Sequence, residues 1–329
     1  MPPMSSDATA HAFWITSPGH GEILEQALPE PGPGELRIRT RYSAVSRGTE
    51  SLIFEGRVPR TEFARMRAPF QEGEFPSPVK YGYINVGVVE SGPASLRDRE
   101  VFTLFPHQTR FNIRTDAAHV LPRGLPGERA VLAANLETAL NAIWDAQLTP
   151  ASKLTVIGAG ALGCLCAWLA QSEFGADVEL IDINEDRASI AAHLGVAFAT
   201  PARARADIPV IIHTSATEEG LQTALDLAGF EATILELSWF GNERPRVALG
   251  EAFHSRRLTL KASQVGHVAA PMRGHASRSS RLQTALRLLR DPTPEILIDS
   301  QCKFSELPSV LAAFASGSQS AICHRVHYD

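Results

Sequence analysis

The sequence predicts an α/β protein in two parts: an antiparallel, β-rich N-terminal region, then a doubly wound parallel sheet, with a short return segment at the C-terminus. Three observations predict it. Residues 10–125 carry short alternating runs broken by proline and glycine. From Lys153 onward, strand-like and helix-like runs alternate, which is the pattern of a parallel sheet covered on both faces. The chain has 329 residues, 44% of them hydrophobic, which is enough for two cores.

In chain order, residues 35–42 (ELRIRTRY) alternate polar and apolar side chains after the turn-rich segment 29–34, the mark of a half-buried strand. Residues 83–89 (YINVGVV) and 100–105 (EVFTLF) read as further strands. Between the strands at 35–42 and 83–89 lies 57–78, long and rich in Arg, Phe and Pro; a loop of that length in a compact domain is usually functional or mobile. Residues 128–147 space their apolar side chains as a helix does. Residues 154–157 then form a strand, 161–174 an apolar helix and 178–183 the next strand. Helices at 188–194 and 220–228 alternate with strands at 210–213 and 233–237. A basic loop follows Gly266. A helix (280–289), a strand near 296–298, a helix (307–315) and a terminal strand (321–328) complete the chain.

Composition narrows the function. The formal net charge is −5, against the basic face of a nucleic-acid binder. No run approaches the roughly 18 apolar residues of a membrane span. Residues 1–9 are small and polar, without a basic stretch leading into an apolar one, so no secretory leader is expected. Four cysteines, Cys164, Cys166, Cys302 and Cys323, form no C-x-x-C pair. A reduced, cytoplasmic protein is the simplest expectation, with a small-molecule substrate and neither a nucleic acid nor a membrane as partner.

The strongest motif is Gly158-Ala-Gly160-Ala161-Leu162-Gly163, which follows a strand and opens a helix. Asp182 closes the next strand, completing the context of a dinucleotide fingerprint. Gly158 permits the tight turn, Gly160 lets a pyrophosphate approach the backbone, and Gly163 permits close helix–strand packing. The helix start offers unpaired N–H groups to phosphates. A carboxylate at Asp182 accepts from ribose hydroxyls and repels a 2′-phosphate, so NAD is expected over NADP. Arg187 qualifies this, since it can stack on adenine or sit in solvent. Ile183, Ser215, Ser238 and Gln264 complete the expected cofactor-binding set.

The order of β-rich domain, dinucleotide unit and return segment resembles the medium-chain dehydrogenase/reductase superfamily, which includes the zinc alcohol dehydrogenases. Residues 43–59 (SAVSRGTESLIFEGRVP) resemble the segment carrying that family's first zinc ligand, 81–87 (YGYINVG) its G-H-E-x-x-G segment, 135–163 its helix into the nucleotide turn, and 253–266 the strand beside the nicotinamide. Within the superfamily, the S-R-G-T-E and G-Y-x-x-V-G segments look most like the bacteriochlorophyllide a dehydrogenase-like subgroup. The resemblance implies a GroES-like β-rich catalytic domain (1–134 and 268–329) plus a Rossmann cofactor domain (135–267). It also implies an oxidoreductase moving a hydride between NAD(H) and a carbonyl or alcohol, and a homodimer through the cofactor-domain sheet at 233–237 and beyond.

The ligand positions depart from the family. Ser46 or Arg47 stands at the first, Tyr83 at the second and Ala134 at the third, and the four-cysteine structural-zinc loop is absent. A catalytic zinc needs three N, S or O ligands and an open position, so no metal is expected. A donor or cation must then stabilise the developing oxyanion, unless the acceptor is easily reduced, like a quinone. Tyr83 is the first candidate acid, or else a packing aromatic. Thr49 either relays a proton or bonds locally. His107 is an acid, base or structural histidine. Glu137 and Asn135 replace the third ligand's segment as site or helix-face residues. Ser46, Arg47 and Glu50 are candidate substrate contacts, with Glu50 orienting Arg47 or His107. Arg57, Arg60, Arg65 and Arg67, with Phe63 and Phe70, and a second basic run at Arg273, His275, Arg278 and Arg281, suit an anionic, planar substrate or are solvated faces. A catalytically silent nucleotide-binding scaffold and a quinone-oxidoreductase-like reductase are the rival readings.

Overall fold

The computed structural model describes residues 8–329. The first seven residues of the segment read as lacking a leader lie outside this range. The chain divides into two compact units, one made of Met1–Ala134 with Ile298–Asp329, the other of Asn135–Leu297.

In the first unit, Ala8–Ser17 and His20–Leu28 form an antiparallel hairpin that the sequence reading did not anticipate. Its alternation is blurred by polar residues on the exposed strand. A second sheet is built on Glu35–Val45. That strand pairs antiparallel with Asn85–Ser91 on one side and with the C-terminal strand Cys323–His327 on the other. The chain end therefore lies in register with residues 42–45, and the return segment belongs to this sheet. Leu36, Ile38, Val89, Val101, Phe105, Phe111 and Ile113 form one buried cluster, which follows from the period-2 alternation of the strands. Helix Arg47–Phe54 follows Glu35–Val45 directly and turns Glu50, Leu52, Ile53 and Phe54 inward.

The second unit is a six-stranded, all-parallel sheet. Its spatial order is Ala197–Ala199, Asp177–Ile181, Lys153–Ile157, Ile208–His213, Ala228–Glu236, Thr259–Ala262. Chain order reverses between Lys153–Ile157 and Ile208–His213, the switch point of a doubly wound fold. The strands are near-continuous apolar runs because helices cover both faces. Cys164 and Cys166 sit in the buried helix Ala161–Phe174, and all four cysteines are buried and free. Of the stretch expected to form a dimer edge, 233–237 and beyond, residues 233–236 lie in an interior strand and Thr259–Ala262 forms an edge, the other edge being Ala197–Ala199.

The first break in the chain falls at 134/135, but the return comes at 298 and not 268. Helix Arg278–Leu288 stays with the second unit because Arg281 is buried against helix Ala133–Ala146. Arg281 Nε donates to Glu137 Oε1 at 3.0 Å, and one Nη donates to Asn141 Oδ1. Glu137, Asn141 and Asp145 are spaced i, i+4, i+8, so they form one polar stripe on that helix. Asp145 takes Lys261 at 2.9 Å and Ser263 at 2.8 Å. Among the described residues, no helix is long and apolar enough to cross a membrane.

Candidate active site

The first unit gathers five of the residues singled out in the sequence. Glu50, on the first turn of helix Arg47–Phe54, accepts the Ser46 backbone N–H through Oε1 at 2.8 Å. Its Oε2 lies 2.8 Å from His107 Nε2. The Ser46 and Thr49 hydroxyls on the same turn act to lower the Tyr83 phenol, but burial outweighs them and pushes it up to about 12. Tyr83 also meets Tyr81 edge to face, with ring centroids 6.0 Å apart.

Two residues not foreseen from sequence extend the cluster. Ser43 Oγ lies 2.8 Å from His107 Nδ1 and 3.0 Å from the Tyr328 hydroxyl. Burial raises the Tyr328 phenol as well, and its ring stacks on Phe304 at 4.6 Å. Both imidazole nitrogens of His107 are therefore occupied, one by a carboxylate and one by a hydroxyl. With Glu50 ionised, Nε2 carries the proton, Nδ1 accepts from Ser43, and Ser43 accepts from Tyr328. The result is a one-directional hydrogen-bond chain ending on Glu50. Arg47 is exposed on the helix that carries Thr49 and Glu50, so Glu50 orients His107 and not Arg47.

The other expected residues are placed differently. Glu137, a candidate catalytic acid, belongs to the second unit and is held by Arg281, with both side chains at most 6% exposed. Burial raises its carboxyl and Arg281 opposes the rise. Arg281 is correspondingly no part of a solvated basic run; it also donates to the carbonyls of Val265 and His267. Asn135 is half-buried at the start of the same helix. In the 57–78 loop, Arg57 pairs with Glu55, Arg65 with Glu62 and Arg67 with Glu74. Phe70 stacks on Phe105, with centroids 5.4 Å apart, and Phe63 packs against Phe75.

The second unit carries the glycine turn as expected. Gly158 has φ +103°, open to glycine and costly for other residues. A Cβ on Gly163 would meet the Gly158 carbonyl oxygen at 1.8 Å, whereas one on Gly160 would meet nothing within 4 Å. The space beside Gly160 is therefore open while its neighbours are tightly packed. Gly160 caps the helix without a side-chain bond, and Ala161 and Leu162 follow half-buried, leaving first-turn N–H groups to an anion. Asp182 ties this turn to the next strand: Oδ2 accepts from Ala159 N at 2.7 Å and Oδ1 from Asn184 N at 2.9 Å. Ile183 beside it is 86% exposed, an apolar surface on which a flat ring can lie. Arg187 is half-buried at the start of the next helix, Arg187–His193. These residues fit a dinucleotide: an open glycine, an uncapped helix start, a carboxylate and an exposed apolar platform.

Past the next two strands, His213 Nδ1 lies 2.7 Å from Glu236 Oε2 and its Nε2 lies 2.7 Å from Ser215 Oγ. Ser238 N donates to Glu236 Oε1 at 2.7 Å. Gln264 is exposed, and its Oε1 accepts from Gly266 N. Sequence reasoning proposed Ser215 and Ser238 but missed His213 and Glu236, whose polar character was hidden inside apolar strand runs.

The fold is shared with solved dehydrogenases. L-idonate 5-dehydrogenase from Escherichia coli superposes with a TM-score of 0.79 at 12% identity, covering 97% of this chain and 98% of that one. An Escherichia coli CFT073 alcohol dehydrogenase complexed with NADH gives 0.76 at 15% identity over 97% and 99%. The likeness is one of fold: the chain folds as these dehydrogenases do. In sequence, it is 30% identical over 216 residues to an uncharacterized zinc-type alcohol dehydrogenase-like protein of Haemophilus influenzae. That match spans 59% of this chain and only 58% of the relative's length. No protein-family model matches the chain.

The superfamily's zinc ligands have no counterpart in donor chemistry. Ser46, Arg47, Tyr83 and Ala134 do not make a three-ligand set, and among the described residues no three His, Cys, Asp or Glu side chains gather as a metal-holding group. The residues present do not fit a catalytic zinc.

Proposed function

We propose that the protein is an NAD(H)-dependent oxidoreductase that interconverts an alcohol and a carbonyl without a catalytic zinc, with Tyr83 as the acid. The observation that carries this reading is the Tyr83 phenol. It stands at the sequence position of a family zinc ligand, comes under the influence of the Ser46 and Thr49 hydroxyls, and is held neutral by burial. A neutral phenol donates a hydrogen bond to a developing alkoxide and can surrender its proton to it.

A bound nicotinamide supplies or removes the hydride. The protein's own groups do the rest. The Ser46 and Thr49 hydroxyls orient the phenol and stabilise the phenolate left after proton transfer. Buried Glu50 and His107 brace the helix turn that carries those hydroxyls. In the second unit, the glycine turn and helix start hold the pyrophosphate. Asp182 favours a free ribose hydroxyl over a 2′-phosphate, which supports NAD(H) over NADP(H). A small molecule is the expected substrate, with exposed Arg47 available to an anionic group. The unpaired edge of Thr259–Ala262, with Leu260 41% exposed, supports a homodimer.

The test is direct. Chelator-treated protein, verified metal-free, is titrated with NADH and NADPH by tryptophan-to-nicotinamide energy transfer, then screened against carbonyl substrates. Tight NADH binding and metal-independent turnover that falls in Tyr83→Phe support the proposal. Turnover only after zinc is restored refutes the zinc-free mechanism, and no turnover despite NADH binding favours a scaffold.

A further inference from the structure

We propose that Arg281, Glu137 and Asn141 are positioning residues that fix the loop of residues 264–269 beside the nucleotide cradle, so that this loop meets the nicotinamide half of the dinucleotide. The inference rests on the dinucleotide reading above and adds to it residues remote from the glycine turn.

Place comes first. Ligands of doubly wound sheets bind beyond the carboxyl ends of the strands. All six strands of this sheet run parallel, so those ends lie together. Asp182 follows Asp177–Ile181, and the glycine turn follows the adjacent strand Lys153–Ile157. A dinucleotide with its adenosine ribose at Asp182 and its pyrophosphate at the turn runs on in the same direction. On that side stand Ile208–His213, Ala228–Glu236 and Thr259–Ala262, in that order. The loop 264–269 leaves the carboxyl end of the last. Ser263 N–H still continues that strand's ladder, donating to the Glu236 carbonyl at 3.0 Å.

The loop has no regular secondary structure, yet buried side chains hold its backbone at three points. The two Nη atoms of Arg281 donate to the carbonyls of His267, at 3.3 Å, and Val265. Asn141 Oδ1 accepts Ala269 N–H at 2.9 Å. The same Oδ1 accepts from an Arg281 Nη, while Glu137 Oε1 lies 3.0 Å from Arg281 Nε and 2.9 Å from its other Nη. Two side chains of helix Ala133–Ala146 therefore set the plane of the guanidinium fork, which gives its remaining hydrogens to the loop. Arg281, Asn141 and Glu137 are buried, whereas Gln264 and His267 are exposed. A buried ion pair adds little stability over an apolar contact of the same volume. What this one supplies is a fixed geometry for six residues that would otherwise have to be ordered when the ligand binds.

The test compares NADH with ADP-ribose, which lacks the nicotinamide, by calorimetric titration of wild type, Arg281→Lys and Asn141→Ala. Lysine keeps a charge opposite Glu137 but has no planar fork to reach both carbonyls. Asn141→Ala keeps the Arg281–Glu137 pair and removes only the Asn141 acceptor, so it carries the test if Arg281→Lys fails to fold. Wild type is expected to bind NADH more tightly than ADP-ribose. Each variant is expected to weaken NADH by roughly 5- to 50-fold and ADP-ribose by less than about 2-fold. Loss toward both ligands alike, loss toward ADP-ribose alone, or no loss overturns the positioning role, as does wild-type protein that binds the two equally. Wild-type protein that binds neither overturns the dinucleotide reading itself, whereas failure of the positioning role alone leaves wild-type binding intact.

Discussion

Glu50 Oε2 and His107 Nε2 lie 2.8 Å apart, with side chains 4% and 1% exposed. The pair joins helix Arg47–Phe54 to the loop that follows strand Glu100–Thr103, and it anchors the chain through Ser43 to Tyr328 at the C-terminus. Truncating one partner strands the other as an unpaired group in a buried site. Glu50→Ala is expected to lower unfolding free energy by about 3–5 kcal/mol, read as a lower urea midpoint at unchanged slope. Stability within 1 kcal/mol of wild type would show that solvent reaches the pair.

Tyr83 gives a pH prediction. Its phenol is pushed up to about 12, above the ordinary value of 10.0. A raised acid group contributes stability that is fully present below its unfolded value and is lost as pH rises through the folded one. The window is therefore from about pH 10 to 12. Carbonyl reduction that depends on the neutral phenol should show no alkaline decline attributable to Tyr83 below that window. All four tyrosines, Tyr42, Tyr81, Tyr83 and Tyr328, have raised phenols, so spectrophotometric titration should find tyrosinate forming at higher pH in folded than in unfolded protein, with the share of Tyr83 identified by its loss in Tyr83→Phe. Tyr83→Phe is expected to lower kcat by roughly 100-fold or more with a small change in KM; full activity would remove the phenol from the mechanism.

The two glycines of the nucleotide turn should respond oppositely. A methyl at Gly163 collides with the Gly158 carbonyl, so Gly163→Ala is expected to destabilise the second unit by more than about 2 kcal/mol. A methyl at Gly160 enters open space, so Gly160→Ala should fold normally yet bind NADH at least about 10-fold more weakly. Thermal denaturation beside cofactor titration separates the two effects.

Arg281 and Glu137 form a second buried ion pair. Arg281→Met leaves Glu137 unpaired and frees the carbonyls of Val265 and His267, with an expected cost of about 3–5 kcal/mol. Because burial already raises the Glu137 carboxyl, part of that loss should recover on acidification as Glu137 takes a proton. A deficit that does not change with pH would argue against an ionised Glu137.

Local chemistry was legible from sequence. The glycine turn, Asp182 and the alternating strand and helix runs are each contained in a few consecutive residues, where backbone sterics and side-chain period act directly. Tyr83, Thr49, Ser46 and Glu50 were singled out because the resemblance marked the segments on which they lie, and His107 because it follows a strand of the β-rich region. Their bonding was not legible: Glu50 and His107 are 57 residues apart, and only the sheet register brings them together.

What the sequence by itself determined is the kind of fold and the dinucleotide turn, since these follow from short-range periodicity and glycine geometry. The tertiary structure alone decided which polar groups are spent on one another. Pairing Cys323–His327 with Glu35–Val45 delivers Tyr328 to Ser43 across 285 positions. Burial turns Arg281 from a surface charge into a clamp on Glu137. Adjacent parallel strands set His213 against Glu236. The physical reason is the same each time: a polar side chain removed from water must take whatever partner the packing supplies, and that partner is fixed by long-range register, not by its neighbours in the chain.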